Sequence, residues 1–302
     1  MANGGIIGPI QTPEEAVSTT RTVKNSSGPL TFQPTTEEIE VLIVAGGGGA
    51  GYSSAGGGGG GGVKYYGSAT GSTDCGPVSG SNASTKTANG AAIPVSGGSS
   101  ACVVVGGGGA ALGGPGIGNS GTGSSITIEG TPYSTTGGGG GGTNPGAGQP
   151  GGSGGGGGGQ SGPGAGVAGE GNAGGSAIPG IGDPYTAGGG GATQPGFNFN
   201  GSPTQPGPIY GGMGGAGAGY SIADGSTVVY YGGGSQGESV GTSPEKTTFG
   251  RNSGTANTGG GGSGAGKDGT VIVVEPGRPA SAPGVWSLQE QYNFKKQGIW
   301  TG

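Results

Sequence analysis

Two cysteines, no histidine and fifteen scattered carboxylates are all that this 302-residue chain offers for catalysis or metal binding. Without imidazole there is no His-based triad, no His general base and none of the commonest metal ligand. Cys75 and Cys102 are too few for a tetrahedral zinc site, and they fit a structural pair as well as two free thiols. The adjacent carboxylates, Glu14 with Glu15 and Glu37 with Glu38, lie in polar stretches and read as solvated residues rather than an acid and base pair. Gly261–Lys267 begins like a phosphate loop, but Asp268 stands where Ser or Thr would hold magnesium, and a strand follows where a helix should. Spaced glycine triplets carry no information here, because at this glycine content one arises by chance about every 37 positions. The expectation is therefore no catalytic residue, no metal site, no cofactor and no enzyme. Ten unclustered Lys and Arg with a pI near 4.7 also lack the electrostatic footprint of a nucleic-acid partner. The N-x-[ST] triplets at Asn25 and Asn82 are expected by coincidence in a Ser- and Thr-rich chain.

The elements that must carry any function are unusual. Ninety-one residues are glycine, and seven separate runs of four or more lie between Gly46 and Gly262. Leu, Ile, Val and Phe together make up only about 14% of the chain, below the globular range. Glycine runs cannot bury side chains, so they are either disordered or packed backbone on backbone. A net charge of only -5 gives little self-repulsion to hold the chain open, which favours order. An extended helix of three residues per turn has no internal hydrogen bonds, so its N–H and C=O groups must pair with neighbouring copies. The fold class this predicts has little regular secondary structure: a polyglycine II helix bundle bracketed by a few β-strands, with a short C-terminal helix. The runs Gly56–Gly62, Gly137–Gly142 and Gly154–Gly159 suit its interior, and Pro145–Gly152 and Gly211–Gly219 its rim. Collagen is excluded because the glycines cluster instead of recurring every third residue.

Three parts are expected along the chain. Residues 1–38 form a lead segment whose apolar residues Ile6, Ile7 and Ile10 suit attachment or assembly; no basic region precedes them, so a signal peptide is not expected. No 18-residue apolar run exists to predict membrane insertion. Residues 39–275 form the glycine-rich domain, bracketed by strands over Ile39–Ala45 and Val271–Val274, with further strands over Ala101–Val105 and Ser125–Glu129. Residues 276–302 form a linker and anchoring module. In it Ser287 and Glu290 make a capping box, Leu288 and Tyr292 share a helix face, and Gly298 ends the helix. A helix this short is marginal alone, so Trp286, Phe294, Ile299 and Trp300 are expected to dock on this chain or a partner.

Recognition must come from loops, since a glycine slab has a chemically blank interior. The longer stretches without glycine runs, Val63–Val105, Ala192–Tyr210 and Tyr220–Thr258, carry Tyr65, Tyr66, Phe197, Phe199, Tyr230 and Tyr231. Rings among Gly, Ser and Asn can supply rigid contact area for a receptor; they can equally cap the glycine segments against water.

The run VLIVAGGGGAG, the repeated glycine blocks, YYGGG and the closing GGGGSGAGKDGTVIVVE resemble the glycine-rich domain of bacteriophage tail-fibre and other virion proteins, over roughly residues 39–275. The MANGGIIGP start and the APGVWSLQEQYNFKKQGIW end look like termini of marine phage structural proteins. The likeness to the adhesin at the tip of some T-even-like long tail fibres is architectural, and no receptor-contact residue transfers position by position. The resemblance implies a non-enzymatic virion protein, exposed on the particle after assembly in the host cytoplasm. Its partners would be other virion proteins or copies of itself, and a host surface glycan or outer-membrane protein. The alternatives are a self-assembling filament or capsid-decorating subunit, and a secreted glycine-rich ice-binding or wall protein.

Overall fold

In the strands β3 (Glu38–Val44) and β12 (Thr270–Glu275), nearly every residue is apolar, and nearly every residue is buried. Consecutive strand residues point to opposite faces, so such a run needs cover on both sides. The computed structural model, which describes residues 17–52, 55–69, 72–73, 86–110, 112, 114–177, 186–198, 212–237, 256–277 and 296, supplies that cover. β3 and β12 pair antiparallel, with Val41 opposite Val273 and Ile43 opposite Val271. They lie inside a five-stranded sheet of order β1 (Thr20–Lys24), β12, β3, β4 (Val63–Tyr66), with β6 (Ile93–Pro94) also pairing β3.

One face of this sheet presents Val41, Ile43, Val271 and Val273 to a four-stranded sheet of order β2 (Gly28–Thr31), β7 (Ser100–Val104), β8 (Ser124–Ile128), β9 (Thr131–Thr135). Phe32, Val103, Ile126 and Ile128 complete that core. The other face presents Leu42, Val44, Ile272 and Val274 toward a three-stranded sheet of β11 (Val229–Tyr231), β10 (Ala218–Tyr220) and β5 (Ser72–Thr73). Each fully buried aliphatic side chain here contributes about 1.5–3 kcal/mol, so the two thin cores supply most of the apolar stabilisation. The β8–β9 hairpin closes through Glu129 and Gly130, both at positive φ (47° and 85°), where the glycine meets no steric cost.

These sheets correct the fold class expected from the sequence. The described residues form an all-β protein of twelve strands in three antiparallel sheets, with no helical element, rather than a helix bundle bracketed by a few strands. The polar stretches TRTVK, GPLT and TPYST, too weakly patterned to stand out, become edge strands β1, β2 and β9 by pairing with buried neighbours. No C-terminal helix is among the elements of the described residues; the expected span lies outside them except for Lys296, which has helical backbone.

The glycine runs continue the strands as extended segments joined to one another by backbone hydrogen bonds. Along 56–62 the donors take turns with a period of three. Gly56, Gly59 and Gly62 donate to Gly142, Gly139 and Thr136; Gly57 and Gly60 donate to Ala187 and Gly190; Gly58 and Gly61 donate to Gly262 and Gly259. Its carbonyls accept from three further segments: Gly59 from Gly48, Gly60 from Ser153 and Gly58 from Ser235. Six neighbours at hydrogen-bonding distance leave no room for a side chain. A Cβ on Gly58 would lie 2.0 Å from the Gly48 carbonyl oxygen.

Segment direction follows from the same bonds. Ala45, Gly48 and Gly51 donate to Gly62, Gly59 and Gly56, so segments 45–51 and 56–62 are antiparallel. β3 enters the first and β4 leaves the second; β7, β9 and β11 likewise enter segments, while β8, β10 and β12 leave them. Every one of these strands therefore lies at one end of the array, and the turns near residues 52, 115, 145, 160 and 263 lie at the other. The chain divides into two compact units, Arg21–Val274 and a second that gathers the two chain ends. In the second, the Gly277 N–H donates to Thr19 Oγ1 at 3.1 Å.

Candidate binding face

Of the aromatic residues picked out by sequence, four lie on strands and one within the glycine array. Tyr65 on β4 and Tyr231 on β11 are 1% and 3% exposed and belong to the second core, beside Tyr220 of β10. The Tyr65 and Tyr220 rings lie 5.1 Å apart, tilted by 36°. Burial pushes the phenol pKa of Tyr65 and of Tyr231 up to about 12, and raises that of Tyr220 as well. Tyr66 and Tyr230 are half-buried, Tyr66 against Tyr133 in an edge-to-face contact. These four rings cover the strand end of the glycine array, the capping alternative. Phe197 is half-buried within the array, its N–H donating to Met213 and its carbonyl accepting from Gly188. Phe199, Ile6, Ile7, Ile10, Trp286, Leu288, Tyr292, Phe294, Ile299 and Trp300 lie outside the described residues.

The strand end also holds a buried charge cluster. Glu170, 3% exposed, pairs with Lys64 at 2.9 Å, and its other carboxylate oxygen accepts the Thr136 N–H at 2.7 Å. Lys86 donates to the Gly169 carbonyl at 2.6 Å, with Asn89 sharing that acceptor. Burial lowers the Lys86 pKa to about 8, partly offset by Glu170. Every partner here is a backbone carbonyl, an amide or an ion pair, so the cluster fastens turn 167–171 to β4 rather than offering a reactive group. Among the described residues no three His, Cys, Asp or Glu side chains converge on a possible metal position. No described helix is long and apolar enough to cross a membrane.

The turn end is built differently. Tyr52 is 42% exposed, and its backbone fastens two neighbouring turns: its N–H donates to Gly116 at 3.1 Å and its carbonyl accepts from Thr143 Oγ1 at 2.6 Å. Ile117, 39% exposed, stands close enough to Gly146 that a Cβ there would lie 3.3 Å from its side chain. Asn144 packs against Gly159, beside the turn carrying exposed Gln160 at φ 61°. Four turns thus form one continuous surface of apolar, amide and hydroxyl groups. None of its described residues is charged; those nearest, Lys267 and Asp268, stand on the strand half of segment 264–269, where Asp268 accepts the Gly108 N–H.

Sequence reasoning missed Tyr52 and Ile117 because both fall inside glycine-rich stretches. The available signal was spacing: two glycine runs of similar length separated by a few residues form an antiparallel pair, and the intervening side chains must occupy its turn. Comparison with protein-family models and with curated proteins returns no match to this chain.

Proposed function

We propose that this is a non-enzymatic bacteriophage virion protein, a tail-fibre or fibre-tip adhesin whose glycine array displays turns to the host surface. The observation carrying this reading is the polarity of Arg21–Val274: strands gather at one end, and at the other lie turns whose described residues bear side chains but no charge. A backbone lattice without side chains holds those turns at fixed spacing, so little ordering entropy is lost when they meet a rigid target. The residue resemblance to phage glycine-rich domains points the same way. Residues 1–38 and 284–302 attach the protein to other virion proteins or to copies of itself, which places it on the particle surface.

Immunogold electron microscopy of purified particles, with antibody against residues 63–105, tests this reading. Label at fibre tips is the expected result. Label along a filament or over the capsid would make the protein a structural subunit, and its absence from the virion fraction would sink the proposal.

A further inference from the structure

The turn face also carries information about the chemistry of its target. This inference rests on the adhesin reading and narrows it. Within Arg21–Val274, charged groups of the described residues stand on or beside the strands, their turns and the adjoining segment halves: Arg21, Lys24, Lys64, Glu129, Glu170 and Asp224 are representative. The far turns present Tyr52, Ile117, Asn144 and Gln160 instead. Among the described residues of these turns, a charged target such as a phosphorylated or sulfated polymer would find no complementary charge to pair with. An aromatic ring set among amides and hydroxyls matches a neutral sugar. The ring covers the apolar C–H face of a pyranose, and amide and hydroxyl groups donate to and accept from its hydroxyls. The fastening of the Tyr52 backbone to two neighbouring turns fixes the point from which that ring projects before any ligand arrives.

We infer that the turns around Tyr52, Ile117, Asn144 and Gln160 bind an uncharged saccharide of the host surface. The test uses the full chain, an array of neutral and anionic oligosaccharides, and the bacterial cells on which the particles are grown. Retention on neutral saccharides is expected, unchanged between 0.05 and 0.5 M NaCl, about tenfold weaker for Tyr52→Ala and unaltered by Lys24→Ala at the opposite end. Binding confined to anionic saccharides and lost in 0.5 M NaCl would overturn the inference. Retention on cells that survives periodate oxidation of their glycans would overturn it too, while leaving host recognition intact. Failure to bind the cells at all would remove both readings.

Discussion

A single methyl group placed inside the glycine lattice should be among the most damaging changes available to this protein. In Gly59→Ala the new Cβ would lie 2.2 Å from the Ser153 carbonyl oxygen and 2.6 Å from that of Gly154, where ordinary contact begins near 3.4 Å. Segment 56–62 or its neighbour 153–159 must therefore move by about 1 Å, and neither has a flexible side chain to yield. The bonds at risk are Gly59 to Gly139 at 2.8 Å, Gly48 to Gly59 at 2.8 Å and Ser153 to Gly60 at 3.0 Å. Each buried pair left unmade costs about 1–3 kcal/mol, so losing two predicts destabilisation of about 2–6 kcal/mol. Gly107→Ala is the matched control. That residue is exposed on a rim segment, and the nearest atom to its added Cβ is 3.8 Å away. It should change stability by less than about 1 kcal/mol, with the sign favouring alanine through a stiffer unfolded chain. Urea unfolding of both variants beside the parent decides the matter. Equal midpoints for Gly59→Ala and Gly107→Ala would refute the backbone-on-backbone account of the lattice.

Three further outcomes follow from the strand end. Lys86 has a depressed folded pKa, about 8 against 10.5, so the unfolded state binds more protons between those values and stability should rise with pH across that window, by up to about 3 kcal/mol; a melting-temperature series from pH 7 to 10 checks it. Above pH 10 the sign reverses, because Tyr65 and Tyr231 hold their protons to about 12 while unfolded tyrosines ionise near 10; phenolate absorbance should appear together with unfolding rather than before it. The Tyr220 hydroxyl is buried without a hydrogen-bond partner, so Tyr220→Phe should stabilise the fold by about 1 kcal/mol in denaturant titration, whereas Glu170→Ala, which removes the ion pair to Lys64 and the acceptor of the Thr136 N–H, should cost about 1–3 kcal/mol, Lys64 keeping the Ser134 carbonyl.

The legible parts of the fold were those whose burial leaves a mark on consecutive residues. VLIV in β3 and VIVV in β12 are apolar at every step because both strands are covered on both faces, and their pairing closes the glycine region. β1, β2 and β9 are half exposed and contain Thr, Lys, Pro and Ser, so each acquires strand character only from its neighbour. VKYY held a clue that composition obscured. Val63 and Tyr65 point inward while Lys64 and Tyr66 are half exposed, an alternation of period two that marks a strand rather than a recognition loop. The candidate turn face stayed hidden for the opposite reason. Its residues follow no periodicity, and they come together only once the register of the glycine segments is known.

The antiparallel register of those segments also determines how the unit carries force. Chain entry at Arg21 and exit at Val274 lie on the neighbouring strands β1 and β12, while the turns sit at the far end of the lattice. A pull on the turns directed away from the strands runs along the segments, at right angles to the N–H···O=C bonds between them. Such a load shears many bonds at once instead of opening them one after another. Tension along the segments is thereby spread across the whole cross-section, and a layer built mainly of glycine serves as the stiff member of the unit.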